Sequence, residues 1–237
     1  MQRIALPDED IFPPFEGFPR SGVAFLKKLK KNNNRPWFHK HKEEYEHTVR
    51  FPMQCLIATL ADRLRDEIPE MDFNPKRSIF RIHRDVRFSK YKAPYKTNIA
   101  ASYQPRGTGK GIEQPGLYVG IEPGEIFVGG GLYMPSGDQL KAIRFAILQQ
   151  PESFLKVVEA PRFKKRFGTI MGERLQKAPL GISRDHPLIE YLKYKQWYVG
   201  VEWNDESICF TKTFARTVAD VFLDAMPFVR WLLHATA

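Results

Sequence analysis

Cysteine is nearly absent: Cys55 and Cys209 are the only two in 237 residues. So few thiols, so far apart, exclude a disulfide framework, a paired-cysteine zinc site and a vicinal redox pair; both read as buried thiols. Long apolar runs are missing too, and no stretch approaches the ~20 residues a membrane-spanning helix needs. The opening Met1 to Asp10 has neither an apolar core nor a small-residue cleavage site, so it does not read as a secretory signal, and the cytoplasm is the expected compartment. There is no Gly-x-Ser-x-Gly elbow, paired-acid glycosidase pattern or dinucleotide fingerprint. Gly107-Thr108-Gly109-Lys110-Gly111 lacks the Ser or Thr that follows the Lys of a phosphate loop. The sequence therefore specifies no cofactor and no metal, and leaves the oligomeric state open.

Acids are fewer than bases. Lys plus Arg number 37 against 27 Asp plus Glu, giving a net charge of +10. This balance favours anionic partners, small or polymeric, through steering and counterion release. Eighteen Phe and four Trp provide large rigid side chains for a core. The length suits one domain, expected over 15–237 behind an acidic, Pro-rich tail at 1–14.

Periodicity predicts a helix over about 21–30, with Val23, Phe25, Leu26 and Leu29 inward, stopped by Asn32-Asn33-Asn34. From Pro36 to Ile68, Tyr45, Val49, Met53, Leu56, Leu60 and Leu64 recur at helical spacing, and Pro52 predicts a kink or restart. Strands are expected at 79–88, 98–104, 117–121, 126–133 and 197–203. The third and fourth flank Glu122-Pro123-Gly124-Glu125, a type II turn. Ser136 and Gln139 form a capping box that opens a helix through Leu140, Ile143 and Ile147. Helical stretches follow near 152–159, 162–167 and 187–194, and a C-terminal core helix from Phe214 to Leu233 should be interrupted at Pro227. The fold class is α+β: a mainly antiparallel sheet packed by long N- and C-terminal helices in a single domain.

The chemistry concentrates in Arg81-Ile82-His83-Arg84-Asp85-Val86-Arg87-Phe88, followed by Lys90, Lys92, Tyr95 and Lys96. As a regular strand it would set Arg81, His83, Asp85 and Arg87 on one face, and Phe80, Ile82, Val86 and Phe88 on the other. Arg84 then falls on the apolar face, where it needs a carboxylate partner or a bulge. Guanidinium forks bind phosphate or carboxylate in pairs of hydrogen bonds, and ammonium groups add point charge. Arg81, Arg84, Arg87, Lys92 and Lys96 are the candidate anion ligands. Asp85 and Tyr95 are the candidates for proton transfer, with Asp85 alternatively orienting an Arg. The opposing reading is a structural ion-pair network.

These residues carry a resemblance. Arg81-x-x-Arg84-Asp85-x-Arg87-Phe88 followed by Lys92-x-x-Tyr95 resembles the signature of the domain of unknown function 2461 family of bacterial and fungal proteins. The likeness extends over most of the chain, through Gly17-Phe18-Pro19, Asn33 with Trp37-Phe38, Gly129-Gly130-Gly131, Leu175-x-Lys177-Ala178-Pro179-x-Gly181 and Asp185-His186-Pro187. It implies no activity. Where that family usually has Asp or Asn before Lys92, this chain has Tyr91, so no carboxylate or amide role transfers to that position.

Other candidates have simpler explanations beside them. Three glycines in a strand, Gly129 to Gly131, mark a close backbone approach by a ligand or, more simply, a crossing helix. His39, Glu43 and His47 fall four apart, as metal ligands can, but read as a solvated helix face. His186, at a helix entrance, is a cap or a general base. Three functions stay open: an enzyme acting on a small anion, a nucleic-acid-binding module, and a non-catalytic structural or interaction protein.

Overall fold

Pro123 and Gly124 turn the chain where their chemistry dictates, Pro presetting the second turn position and Gly124, at φ +89°, taking the third. On either side run β2 (Gly116–Glu122) and β3 (Glu125–Leu132), joined by β1 (Ile99–Tyr103) and β4 (Trp197–Trp203) in one antiparallel sheet of order β1-β2-β3-β4. The computed structural model describes residues 12–87, 90, 92–108 and 111–237. The expectations for the tail at 1–11, for Phe88 as a core residue, for Tyr91 and for Gly109-Lys110 lie outside the described residues. The α+β class holds, and four of the five expected strands are present.

The chain divides into two compact units. The first takes the described part of Met1–Ala101, with Gly120–Ile126 and Trp203–Ala219. Its helices are α1 (Arg20–Lys31), α2 (Arg35–Lys40), α3 (Lys42–Tyr45) and α4 (Phe51–Leu64). Asn34 caps α2 by accepting the Trp37 N–H at 3.0 Å. Between α3 and α4 the backbone makes one π-helical turn, Glu46–Arg50, and Pro52 then falls in the first turn of α4, where its missing N–H costs nothing. Tyr45, Arg50 and Phe51 all keep right-handed helical φ and ψ, so the chain runs through the π turn into Pro52 without the break that a restart would need. Gly22 of α1 lies against the Thr48 carbonyl of the π turn, where a Cβ would come within 2.1 Å of the oxygen. Phe25, Leu29, Met53, Leu56 and Phe214 are fully buried in this unit.

The second unit comprises Ser102–Val119, Phe127–Glu202 and Asp220–Ala237. It contains α5 (Gly137–Gln149), α6 (Pro151–Val158), α7 (Pro161–Phe167), the single turn α8 (Ile189–Leu192) and most of α9 (Thr213–Ala235). Both halves of the capping box at Ser136 and Gln139 are formed. The three glycines of β3 have two kinds of neighbour. A Cβ on Gly130 would meet Val229 of α9 at 2.9 Å, the crossing helix expected, whereas Cβ atoms on Gly129 and Gly131 would strike the β4 backbone at Val199 and Trp197. Asp224, buried on α9, receives the guanidinium groups of Arg162 and Arg166 from α7.

Two expectations need correction. Helix α9 is not interrupted at Pro227 but runs through it. Pro227 faces solvent, while Phe222, Ala225, Met226, Phe228 and Val229 around it are buried, and their burial outweighs the ~3 kcal/mol cost of an internal proline. No regular strand forms over the described part of 79–88. That segment is an irregular arm.

Candidate functional site

The arm attaches to the outer edge of β1. Ile79 bridges Ala101, and the Phe80 N–H donates to the Ala100 carbonyl at 2.9 Å. Further out, His83 bridges Tyr95, Arg84 N–H donates to Pro94 at 2.9 Å and Lys96 N–H donates to Ile82 at 2.8 Å. These pairings do not share one register. Between Phe80 and Ile82 the first segment advances by two residues, while the returning segment advances by four, from Ala100 to Lys96. The excess is absorbed in bends at Thr97 and Asn98, an enlarged bulge that breaks the ladder and explains the missing strand.

The alternation of side chains survives the loss of the ladder. Arg81, His83, Asp85 and Arg87 are all exposed, as expected for one polar row, and Ile82 between them is buried. Phe80 and Val86, expected in the core, are only half-buried. Arg84 is also half-buried rather than enclosed, so the expectation of a cation deep in the apolar face is corrected.

Asp85 and Arg87 form a two-pronged pair, Nε to Oδ1 at 3.0 Å and Nη2 to Oδ2 at 2.7 Å, with the Arg87 backbone N–H adding a third bond at 3.2 Å. These bonds to Arg87, with Arg81 contributing its charge, hold the Asp85 carboxyl well below its ordinary 3.8, at about 2. The same pairing pushes Arg87 up. Lys92 donates to the Val86 carbonyl at 3.0 Å, bracing the outer loop of the arm. Lys96 is half-buried with its ammonium 5.1 Å from the centre of the Phe80 ring; burial lowers its pKa, and the Arg81 charge lowers it further. Asp85, Arg81 and Lys96 thus lie within one electrostatic neighbourhood.

Tyr95 anchors the arm, and its main anchor was not among the expected site interactions. In the antiparallel pairing with His83 its own N–H and C=O point away from the partner segment. Asn33, from the loop between α1 and α2, meets both groups: its Nδ2 donates to the Tyr95 carbonyl at 2.9 Å, and its Oδ1 accepts the Tyr95 N–H at 3.0 Å. One side-chain amide thereby replaces a neighbouring strand. The buried Tyr95 ring stacks on Phe38 of α2 at 4.1 Å, with the exposed His83 ring 5.2 Å away on the arm. Trp37 of α2 stacks on His41 at 4.1 Å.

The remaining candidates are elsewhere. His186 belongs to the second unit and accepts the Leu188 N–H on Nδ1 at 3.1 Å, the geometry of a local cap before α8. His39, Glu43 and His47 fall in α2, α3 and the π turn respectively, so they do not share one regular helix face. Among the described residues no group of three or more His, Cys, Asp or Glu is arranged to hold a metal. Nor is any described helix long and apolar enough to cross a membrane.

Residues 21–231 match the family model described as "Conserved hypothetical protein (DUF2461)". The chain belongs to the DUF2461 family. Comparison with curated proteins and with solved structures gives no match. Since the family description carries no activity, a functional reading of this DUF2461 chain rests on the chemistry of the arm. Residues 76–96 contain eight Lys and Arg against the single carboxylate of Asp85, which places seven of the ten net charges of the protein in one short stretch.

Proposed function

We propose that the arm recognises a phosphorylated or otherwise anionic ligand. The observation that carries this reading is the unbalanced charge of 76–96 combined with the exposure of Arg81, Arg87 and Lys92. A structural ion-pair network would carry acids in similar number, and this stretch carries one acid beside eight bases, of which Arg77 pairs with Asp72 just outside it. Arg81, Arg87 and Lys92 contact the ligand, while Arg84 and Lys96, half-buried, add charge from behind. Asp85 orients the Arg87 fork. With its carboxyl held near 2 it stays ionised through the neutral range, which suits an acceptor rather than a proton carrier. The Tyr95 ring is buried against Phe38 and its backbone is held by Asn33, so this residue positions the arm behind the exposed cations.

The test is thermal unfolding in phosphate or sulfate against chloride at matched ionic strength. An anion at a hundredfold its Kd stabilises by about 2.7 kcal/mol, roughly 5–11 °C for a chain of this size. Arg81→Ala and Lys92→Ala should lose this gain yet melt within about 1 kcal/mol of wild type in chloride. Absence of any anion-dependent gain in wild type, or its retention in both variants, contradicts the proposal and favours a purely structural role.

A further inference from the structure

We infer that the anion recognised by the arm is the phosphodiester backbone of a nucleic acid, read without regard to base sequence. This rests on the proposed anion binding and narrows it. Arg81, His83 and Arg87 stand exposed along the outgoing segment of the arm, and Lys92 is exposed on the returning one. Successive cations on an open surface can meet successive phosphates of a chain that carries one charge per nucleotide. Small-molecule sites enclose most of their ligand in a concave pocket. Here Arg81, His83, Asp85, Arg87 and Lys92 all lie open to solvent.

Among the described residues, the aromatic rings near the arm are already engaged. Tyr95 is buried against Phe38, and Trp37 packs against both His41, at 4.1 Å, and Phe25, at 5.6 Å. Contacts therefore go to phosphate, which positions a nucleic acid without reading its sequence. An anionic membrane is the other common polyanion, but binding there draws on apolar side chains that insert beneath the headgroups. Among the described residues of the arm, Ile79 and Ile82 are buried and Phe80 and Val86 half-buried, so none is presented for insertion.

The experiment measures fluorescence anisotropy of labelled 20-nucleotide single strands, RNA and DNA, and of a 20-base-pair duplex, between 50 and 200 mM KCl. Wild type is compared with Arg81→Ala/Lys92→Ala and with a charge-matched control, Lys30→Ala/Arg216→Ala, both control residues being exposed and outside the arm. Folding of each is checked by circular dichroism, and phosphate-dependent melting is recorded in parallel. Three phosphate contacts on a single strand predict a log–log slope of about −2 and roughly a 20-fold loss of affinity over this range; on duplex each contact contributes about −0.9. The arm variant should lose about two contacts of slope, the control none, and scrambling the oligonucleotide should change nothing. Stabilisation by phosphate without oligonucleotide binding at 50 mM salt overturns the inference but leaves anion recognition standing. No response to either overturns both. Equal loss of slope in the two variants, or binding to phosphatidylserine vesicles but not to oligonucleotides, also overturns the nucleic-acid assignment.

Discussion

Replacing Asn33 by Ala removes the one side chain that satisfies both outward-facing backbone groups of Tyr95, through bonds of 2.9 and 3.0 Å. Each such bond contributes about 0.5–1.5 kcal/mol net, and part-buried N–H and C=O groups left unmet add to the loss, so the expected cost is about 2–3 kcal/mol. For a chain of this size that lowers the melting temperature by roughly 4–12 °C. Asn33→Asp is the sharper test, because it is nearly isosteric. It retains an acceptor for the Tyr95 N–H but sets a carboxylate oxygen against the Tyr95 carbonyl where a donor stood, so it should be at least as damaging as Ala near neutral pH. Urea unfolding of the three proteins, monitored by far-UV circular dichroism and Trp fluorescence, gives the differences directly. If both variants stay within 0.5 kcal/mol of wild type, the amide does not hold the arm, and the account of how Tyr95 is placed is wrong.

Further outcomes follow from the same geometry. Gly129→Ala drives a Cβ to 2.0 Å from the Val199 carbonyl of β4 and should prevent folding, whereas on Gly130 it meets the side-chain ends of Leu117 and Val229 at 2.9 Å and should cost about 1–3 kcal/mol; comparing soluble yield and melting of the two checks this. Asp85 should titrate near pH 2 by carboxyl NMR and return toward its ordinary 3.8 in Arg87→Ala. Because its folded pKa is the lower one, the pair's contribution is complete above about pH 4 and fades as the pH falls toward 2. Burial pushes Cys55 up to about 11 and Cys209 up to about 12, so neither should react with a thiol reagent at pH 8 until the protein is unfolded.

Those features that rest on neighbours in sequence were legible from it. The Pro123-Gly124 turn and the capping box at Ser136 and Gln139 each need only a few adjacent residues, and both form as read. The exposed row of Arg81, His83, Asp85 and Arg87 was legible for the same reason, since alternation of an extended chain does not require a ladder. What failed depends on distant partners. The bulge at Thr97 and Asn98 acts on the returning segment, so nothing within 79–88 announces that a strand will not form. The link from Asn33 to Tyr95 joins positions 62 residues apart, and the middle Asn of a run of three that ends a helix reads as a stop signal. Pro227 misled because its solvent-facing orientation on α9, the condition under which a buried helix tolerates it, follows from packing.

Location of the ligand is the central claim, and amide chemical shifts test it most directly. Phosphate titrated into isotopically labelled protein, at constant ionic strength, should move the backbone resonances of 81–96 along saturable curves, together with the side-chain amide of Asn33, and leave α5 to α7 unchanged. Saturable shifts confined to another part of the chain, or changes that grow linearly without saturation, would contradict the assignment of the arm as the anion site.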